Sequence, residues 1–463
     1  MDYPQSVSPL PLVVDLDGTL LKTDLLVENV NELLINHPFA FLQILGGLSR
    51  GRSILKSRLA QASTSHIAYL PYNQKLLTWL KDQKKGGRTL VLATASHRLH
   101  AERLANHLGI FSAVLATEGI VNLKGKAKRD LLVKMYGVKG FDYLGNDWTD
   151  VPVWQMAAES HVVSRSHRLI AKIQDSCTMG RVFDNEKPLF VSSLFKALRP
   201  HQWVKNLLVV VPLLTAHAYY SQASMYNSLV AFGAFSLTAS SVYLINDLVD
   251  LPNDRRHLEK AKRPFAAGDL SLVAGWVFSP LLLLVAFGTA WTVLPLQFLL
   301  ALGSYFALTL AYSWRLKKSA ISDVLSLASL YTVRIIAGAA AIAVPLSFWL
   351  LTFSMFIFLS LAFIKRYSEL IAAHESEHIG NIPGRGYYPG DLEMVASLGG
   401  ASGYVAVLVL ALYVQDPNTS TLYTSPKVIW LICPLFLYWI SRVWLIAHRG
   451  QMHVDPIIFA ITD

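Results

Sequence analysis

Beyond about Arg199 the chain carries apolar segments near 20 residues long, the length of α-helix that a bilayer's hydrocarbon core demands. They run roughly from Trp203 to Tyr220, Met225 to Ile245, Leu272 to Leu294, Leu296 to Trp314, Ile321 to Val344, Ser347 to Ile364, Met394 to Val414 and Val428 to Ala447. About eight membrane helices are expected, and the tail HVDPIIFAITD, too short to span, leaves room for a ninth. A 463-residue chain that is 53% hydrophobic and only 16% charged is far from the soluble average. Before Arg199, however, apolar residues come in short runs broken by charge. Two regimes imply two domains: 1–185 with a helical insert at about 22–75, a linker at 186–198, and a polytopic all-α membrane domain at 199–463.

The opening MDYPQSVSPLPLVVDLDG lacks a basic stretch followed by a long apolar run, so no secretory signal is evident and a cytoplasmic N-terminal domain is expected. Cys177 and Cys433 fall in different domains, which argues against a disulfide framework and against a cysteine metal site. With the N-terminus inside, the loops after the second, fourth and sixth helices are cytoplasmic. They hold Arg255, Arg256, Lys260, Lys262, Arg263, Arg315, Lys317, Lys318, Lys365, Arg366 and Arg385, whereas the opposite loops around His217, Pro295, Pro345 and Pro417 carry almost no Lys or Arg. This is the positive-inside asymmetry, and it places the chain across the inner or cytoplasmic membrane.

The same inner loops concentrate acid, including Asp247, Asp250, Asp254, Asp269, Asp323, Glu369, Glu375 and Glu377. Topology accounts for the basic residues but not for carboxylates at membrane-helix ends, where ionisable groups are costly and usually serve a site. In SSVYLINDLVDLPNDRRHLEKAKRP, Asn246, Asp247, Asp250 and Asp254 close the second helix, and the three acids share a face if the helix continues past Pro252. Clustered carboxylates repel unless a cation joins them, and hard oxygen ligands suit Mg²⁺ bridging to substrate phosphates. Arg199 and Lys205 in LRPHQWVKN, Lys317 in YSWRLKK, and Lys365 and Arg366 in FIKRYSEL supply cations for phosphate or diphosphate. Taken singly, each also fits a snorkelling charge.

NDLVDLPND resembles the first Asp-rich motif of the UbiA prenyltransferase superfamily, and YSWRLKK its Tyr and Lys motif. LRPHQWVKN, NDLVDLPNDRRHLEKAKRP, YSWRLKKSAISDVLSLASLYTVRIIAGA, KRYSEL and RGQMHVDP together resemble its decaprenyl-phosphate phosphoribosyltransferase branch. That resemblance implies transfer of 5-phosphoribose from phosphoribosyl diphosphate to a polyprenyl phosphate. It implies Mg²⁺ on Asp247, Asp250 and Asp254, and substrate phosphates or ribose near Asn246, Arg255, Lys205, Tyr312, Lys317, Arg334, Lys365, Arg366 and Glu369. Asp323 orients ribose hydroxyls or carries metal. Where aromatic prenyltransferases have a second Asp-rich motif, KRYSEL keeps only Glu369, which favours a substrate with an additional phosphate. The lipid phosphate is already an anion, so no strong general base is required.

PLVVDLDGTLL reads as a buried strand entering a tight Gly turn, GGRTLVLATAS as a second strand, and FDYLGNDWTDVPVW as a third followed by an acidic turn. Strands alternating with helices imply a Rossmann-type parallel sheet with a site at the strand ends. DLDGT resembles the first motif of the haloacid dehalogenase superfamily over about Leu12 to Arg165. This implies Asp15 as nucleophile, Asp17 as acid/base, Thr94 and Lys128 on the phosphate, and a second Mg²⁺ on Asp15, Asp17 and the GND turn. The family's last motif usually begins Gly-Asp; here Gly145 is followed by Asn146, leaving Asn146, Asp147 or Asp150 as the further ligand. The insert, with PFAFLQILGGL, stands where this superfamily carries a cap.

The expected function is a bifunctional lipid-phosphoribose enzyme whose soluble domain removes the 5-phosphate. The alternative is an aromatic prenyltransferase using a polyprenyl diphosphate, with a degenerate soluble domain. A transporter or scaffold fits poorly with acids and cations gathered at one membrane face. The partners expected are the two phosphorylated substrates and the bilayer, with no nucleic acid; a homo-oligomer is compatible with this reading.

Overall fold

The structure is a computed structural model that describes residues 10–37, 39, 67–118, 122–184, 187–375, 385–414, 426–452 and 459. Apart from Phe39, the expected cap segment PFAFLQILGGL lies outside the described residues, as does Glu377. Two compact units emerge: Met1–Ala197 with Ile245–Val277, and Leu198–Leu244 with Phe278–Asp463.

The first unit is built on a six-stranded parallel sheet, order β3-β2-β1-β4-β5-β6. Its strands are β1 (Leu12–Val14), β2 (Leu90–His97), β3 (Ala113–Thr117), β4 (Asp142–Gly145), β5 (Ser160–Val163) and β6 (Met179–Phe183). Strand alternation sends Leu12, Val14, Leu90 and Leu92 to one face, where they pack with Leu76 and Leu80 of helix α2 (Gln74–Lys85) and Leu104 of α3 (Arg98–Leu108). Val13, Val91, Ala93 and Tyr143 go to the other face, against Leu132 of α4 (Lys126–Tyr136) and Leu169 and Ile173 of α5 (His167–Ser176). Helices on both faces explain why LVV and LVLAT are continuous apolar runs rather than alternating ones. Helix α1 (Leu25–Asn36) follows the DLDGT turn, with Asp24 accepting the N–H of Leu26 at 2.8 Å as its N-cap. The stretch expected as a linker forms helix α6 (Phe190–Leu198).

Six helices among the described residues are long and apolar enough to cross a membrane: Gln222–Val249, Leu272–Val293, Leu296–Trp314, Ser322–Ala341, Phe348–Ala372 and Pro389–Val414. They correspond to six of the eight expected segments, and the other two require correction. Trp203–Tyr220 is broken into a 3₁₀ helix Pro200–Val209, a short helix Val211–Thr215 and a further turn Ala218–Tyr220. Pro212 has no N–H to continue a helix, and His217 turns to φ +54°. Val428–Ala447 shrinks to Ile432–His448, 17 residues, short of the roughly 20 that a perpendicular span requires. In the second unit small residues bring helices close. A Cβ on Gly338 would fall 2.0 Å from the Val209 carbonyl oxygen, and one on Gly399 2.3 Å from Trp444.

Candidate active sites

A first polar cluster forms at the C-terminal ends of β1, β2 and β4, where parallel strands of this order open a crevice. Asp15 follows β1 directly, its N–H bonded to the Leu144 carbonyl at 2.9 Å. The chain then turns at Gly18, φ +76°, where a Cβ would lie 2.3 Å from Asn146 Nδ2, so glycine lets the GND turn approach. Asp15 accepts from Lys128 Nζ at 2.6 Å and from Thr19 Oγ1 at 3.2 Å, and Thr19 also reaches Asn146 Oδ1 at 3.0 Å. Lys128 contacts the Tyr143 hydroxyl at 3.0 Å, and that hydroxyl donates to Asp150 at 2.7 Å. Asp17 accepts from the Leu25 N–H at 2.9 Å, Ser96 Oγ at 2.6 Å and Thr94 Oγ1 at 3.3 Å. Asp150 also takes the N–H groups of Asn146 and Asp147, whereas Asp147 is exposed and caps Trp148.

Burial sets the electrostatics. It pushes the Asp15 carboxyl up to about 7, opposed chiefly by Lys128, and pushes Asp17 up to about 6, with Asp24 adding to the rise. Burial works against the Lys128 charge, yet Asp15 and Asp150 keep its pKa above the ordinary lysine value. The cluster opens into a cavity of about 540 Å³. Ser96 and Tyr143 were missing from the sequence expectation. Ser96 lies two residues beyond Thr94, hence on the same side of the strand, and that spacing was the available signal. Tyr143 looked like a core aromatic, and only its hydroxyl distinguishes it from Phe.

Also in the first unit is the Asp-rich run. Helix α7 (Gln222–Val249) ends, Asp250 starts α8 (Leu251–Arg256), and Pro252 sits in that first turn, so the run forms two helices rather than one. The acids still gather, because Arg263 Nη1 reaches Asp247 Oδ1 at 3.2 Å and Asp254 Oδ2 at 2.6 Å. Asp247 and Asp254 are buried, while Asn246 and Asp250 are half-buried. Burial raises the Asp254 pKa and Arg263 opposes it. Arg255, expected on substrate phosphate, grips Glu28 of α1 through both terminal nitrogens, at 3.0 and 2.7 Å, and its Nε bonds the Ala266 carbonyl. Both side chains of that pair are under 10% exposed, so the guanidinium is committed to structure. Asn31 of the same helix bonds the Leu248 carbonyl at 3.2 Å and accepts from Trp276 Nε1 at 2.9 Å.

In the second unit Arg366 and Asp323 are almost wholly buried and paired, and Arg366 also pairs with Glu369. Tyr312 accepts from Arg366 and Arg385, each at 3.1 Å, and Arg385 Nη1 lies 3.4 Å from Asp323. Two guanidiniums and two carboxylates thus surround one phenol. Helices Leu296–Trp314, Ser322–Ala341 and Phe348–Glu375 supply four of these five residues, and Arg385 comes from the loop after them. Arg385, in the sequence a topological charge, joins this cluster. Lys317 and Lys365 are half-buried. Arg334, expected near substrate, is instead held by Asn206 Oδ1 at 2.9 Å, the Leu330 carbonyl and Tyr305, and Asn206 adjoins buried Lys205. Arg199 stacks 5.2 Å over Tyr243.

Residues 207–453, which hold the Asp-rich run and the Tyr312 cluster, match the UbiA prenyltransferase family. The chain belongs to that family. A relative along nearly the whole chain is the uncharacterized protein y4nM of Sinorhizobium fredii, 36% identical over 457 residues, 98% of this chain and 88% of that protein. The nodulation protein NoeC of Azorhizobium caulinodans is 38% identical over 58% of this chain and 86% of its own length. The decaprenyl-phosphate phosphoribosyltransferase of Mycobacterium tuberculosis is 37% identical over 194 residues, 41% of this chain and 63% of that enzyme. The UbiA match takes in the Asp-rich and KRYSEL motifs but not the six-stranded sheet, and the first of these relatives matches 98% of the chain.

Proposed function

We propose that this UbiA-family protein is a phosphoribosyltransferase of the inner or cytoplasmic membrane. It moves 5-phosphoribose from phosphoribosyl diphosphate to a polyprenyl phosphate, and its N-terminal unit then removes the 5-phosphate. The observation that carries the transferase reading is the gathering of Asp247 and Asp254 on one cation, Arg263. Oxygen donors held this way suit a hard cation, so Asp247, Asp250 and Asp254 would hold Mg²⁺, whose charge would steady the departing diphosphate. Arg263, Lys205, Lys317 and Lys365 bind phosphate oxygens. The anomeric C–O bond breaks with its electron pair leaving on diphosphate, and an oxygen of the lipid phosphate forms the new bond. No proton moves. Arg366, already paired with Asp323 and Glu369, positions that acid pair and Tyr312 around the sugar rather than taking phosphate itself. The names of the mycobacterial relatives support the substrate class.

For the phosphatase step, an Asp15 oxygen attacks phosphorus, the P–O ester bond breaks, and the leaving oxygen takes the proton of Asp17. A water oxygen then attacks the aspartyl phosphate while Asp17 accepts its proton, freeing inorganic phosphate. A carboxyl raised by burial to about 6 suits that acid role. Lys128 neutralises the phosphoryl oxygens, and Thr94 and Ser96 hold Asp17. Oxygens of Asp15, Asn146 and Asp150 fit a second Mg²⁺, which would lower the charge barrier to attack. Purified full-length protein given phosphoribosyl diphosphate and polyprenyl phosphate should form a ribosylated lipid, identified by mass. Transfer of an isoprenoid to an aromatic acceptor with no ribosylated lipid would favour ordinary prenyl transfer instead.

A further inference from the structure

We infer that the phosphatase cavity is built for a substrate with two anionic groups, and that Lys22 and Lys187 form the second anion subsite; this rests on the phosphatase reading. The first anion site is spoken for, since Lys128 sits on Asp15 at 2.6 Å and is buried. The same 540 Å³ cavity is also lined by Lys22 and Lys187, which no step of monoester hydrolysis uses. Lys187 donates to the backbone carbonyl of Lys22, which brings two ammonium-bearing side chains to one side of the cavity. Burial lowers the Lys187 pKa and Lys22 adds to that, with Asp269 alone opposing. Asp269 in turn faces Lys22, Lys196 and Lys187. Lys187 thus has the positive charge of Lys22 beside it and Asp269 as its one opposing carboxylate, and although Asp24 also lines the cavity, an anionic ligand group would neutralise the lysine pair.

The wall beside these lysines belongs to the stretch that follows the Asp-rich run, for Gly268, Leu270 and Ser271 line the cavity. Gly268 has φ +74°, and a Cβ there would meet the Lys22 Cβ at 2.8 Å, so the wall is seated tightly on the lysine. Leu270, with Leu25 and Leu26 also among the lining residues, gives the cavity apolar surface. A phosphate monoester at Asp15, a phosphodiester at Lys22 and Lys187, and the first carbons of a lipid against Leu270 make one occupant of suitable size.

The test compares, on full-length protein, hydrolysis of p-nitrophenyl phosphate and of a short-alkyl phosphodiester of ribose 5-phosphate. Replacing both lysines by methionine should lower the ratio of kcat/KM for the two-anion substrate over the one-anion substrate at least about tenfold, and raised salt should shrink the wild-type ratio. Lys22→Arg with Lys187→Arg should restore most of it. An unchanged ratio overturns the subsite. If wild type hydrolyses neither compound, the phosphatase reading fails, and equilibrium binding of the two-anion probe decides the subsite. Tenfold weaker binding to the double methionine variant upholds it; equal binding removes it.

Discussion

Single carboxylates carry the transferase reading. Asp247→Asn or Asp250→Asn should reduce ribosyl transfer by at least about a hundredfold while leaving the fold intact, because each removes a cation ligand and also relieves repulsion between acids. Turnover near wild type together with an unchanged melting temperature would refute the metal assignment. Two buried histidines give a second residue-scale expectation. Burial lowers His161 and His100 to about 4 each, and both are almost fully buried. A folded pKa below the unfolded value means that the unfolded chain binds more protons between about 6.5 and 4. Stability is therefore intact above pH 6.5 and falls as pH drops through that window, by up to roughly 3 kcal/mol per histidine. Amide exchange in β4 and β5 should accelerate from pH 6.5 to 4.5 after correction for intrinsic rates, and His161→Gln should weaken that dependence. At this scale DLDGT exposed Asp15 and Asp17 plainly. Arg263 and Arg255 sat in a run of basic residues where only tertiary contacts separate the one that joins two aspartates from the one that locks onto Glu28.

Elements were legible where periodicity and length agree. The apolar runs at Leu272 and Leu296 and the buried LVV and LVLAT strands appear with ends close to those expected. Pro252 and Pro212 mark the departures: each sits in the first turn of a short helix separate from the one before it. The link between α1 and α8 had no sequence signal at all, because Glu28 and Arg255 stand 227 residues apart. Breaking that buried pair by Glu28→Gln should cost about 3–5 kcal/mol by stranding the guanidinium, and Glu28→Leu with Arg255→Met should recover much of the loss. Thermal unfolding of full-length Glu28→Leu, Arg255→Met and the double variant measures the coupling. Additive losses would show that the pair is only a surface-like contact.

For the whole molecule, membrane orientation rests on the alternation of basic and uncharged loops. The Asp-rich stretch clusters in one unit with the parallel sheet, which supports placing both on one side of the membrane. In a chain with Cys177 and Cys433 replaced by serine, cysteines at exposed Leu258 and Leu346 should label from opposite sides of sealed vesicles. Labelling from one side would contradict the topology. The proposed cytoplasmic placement also means that the ribosylated lipid need not cross the bilayer between the two reactions.

The central claim is that two active sites act in turn on one lipid, and the mass of the lipid product tests it most directly. Full-length protein supplied with phosphoribosyl diphosphate and polyprenyl phosphate should yield polyprenyl phosphoribose without its 5-phosphate. Asp15→Asn should transfer ribose at the wild-type rate but leave a product one phosphate heavier, because the charged nucleophile is gone. If wild type and Asp15→Asn both accumulate only the heavier lipid, the N-terminal unit is not the phosphatase of this product and the two-step account fails.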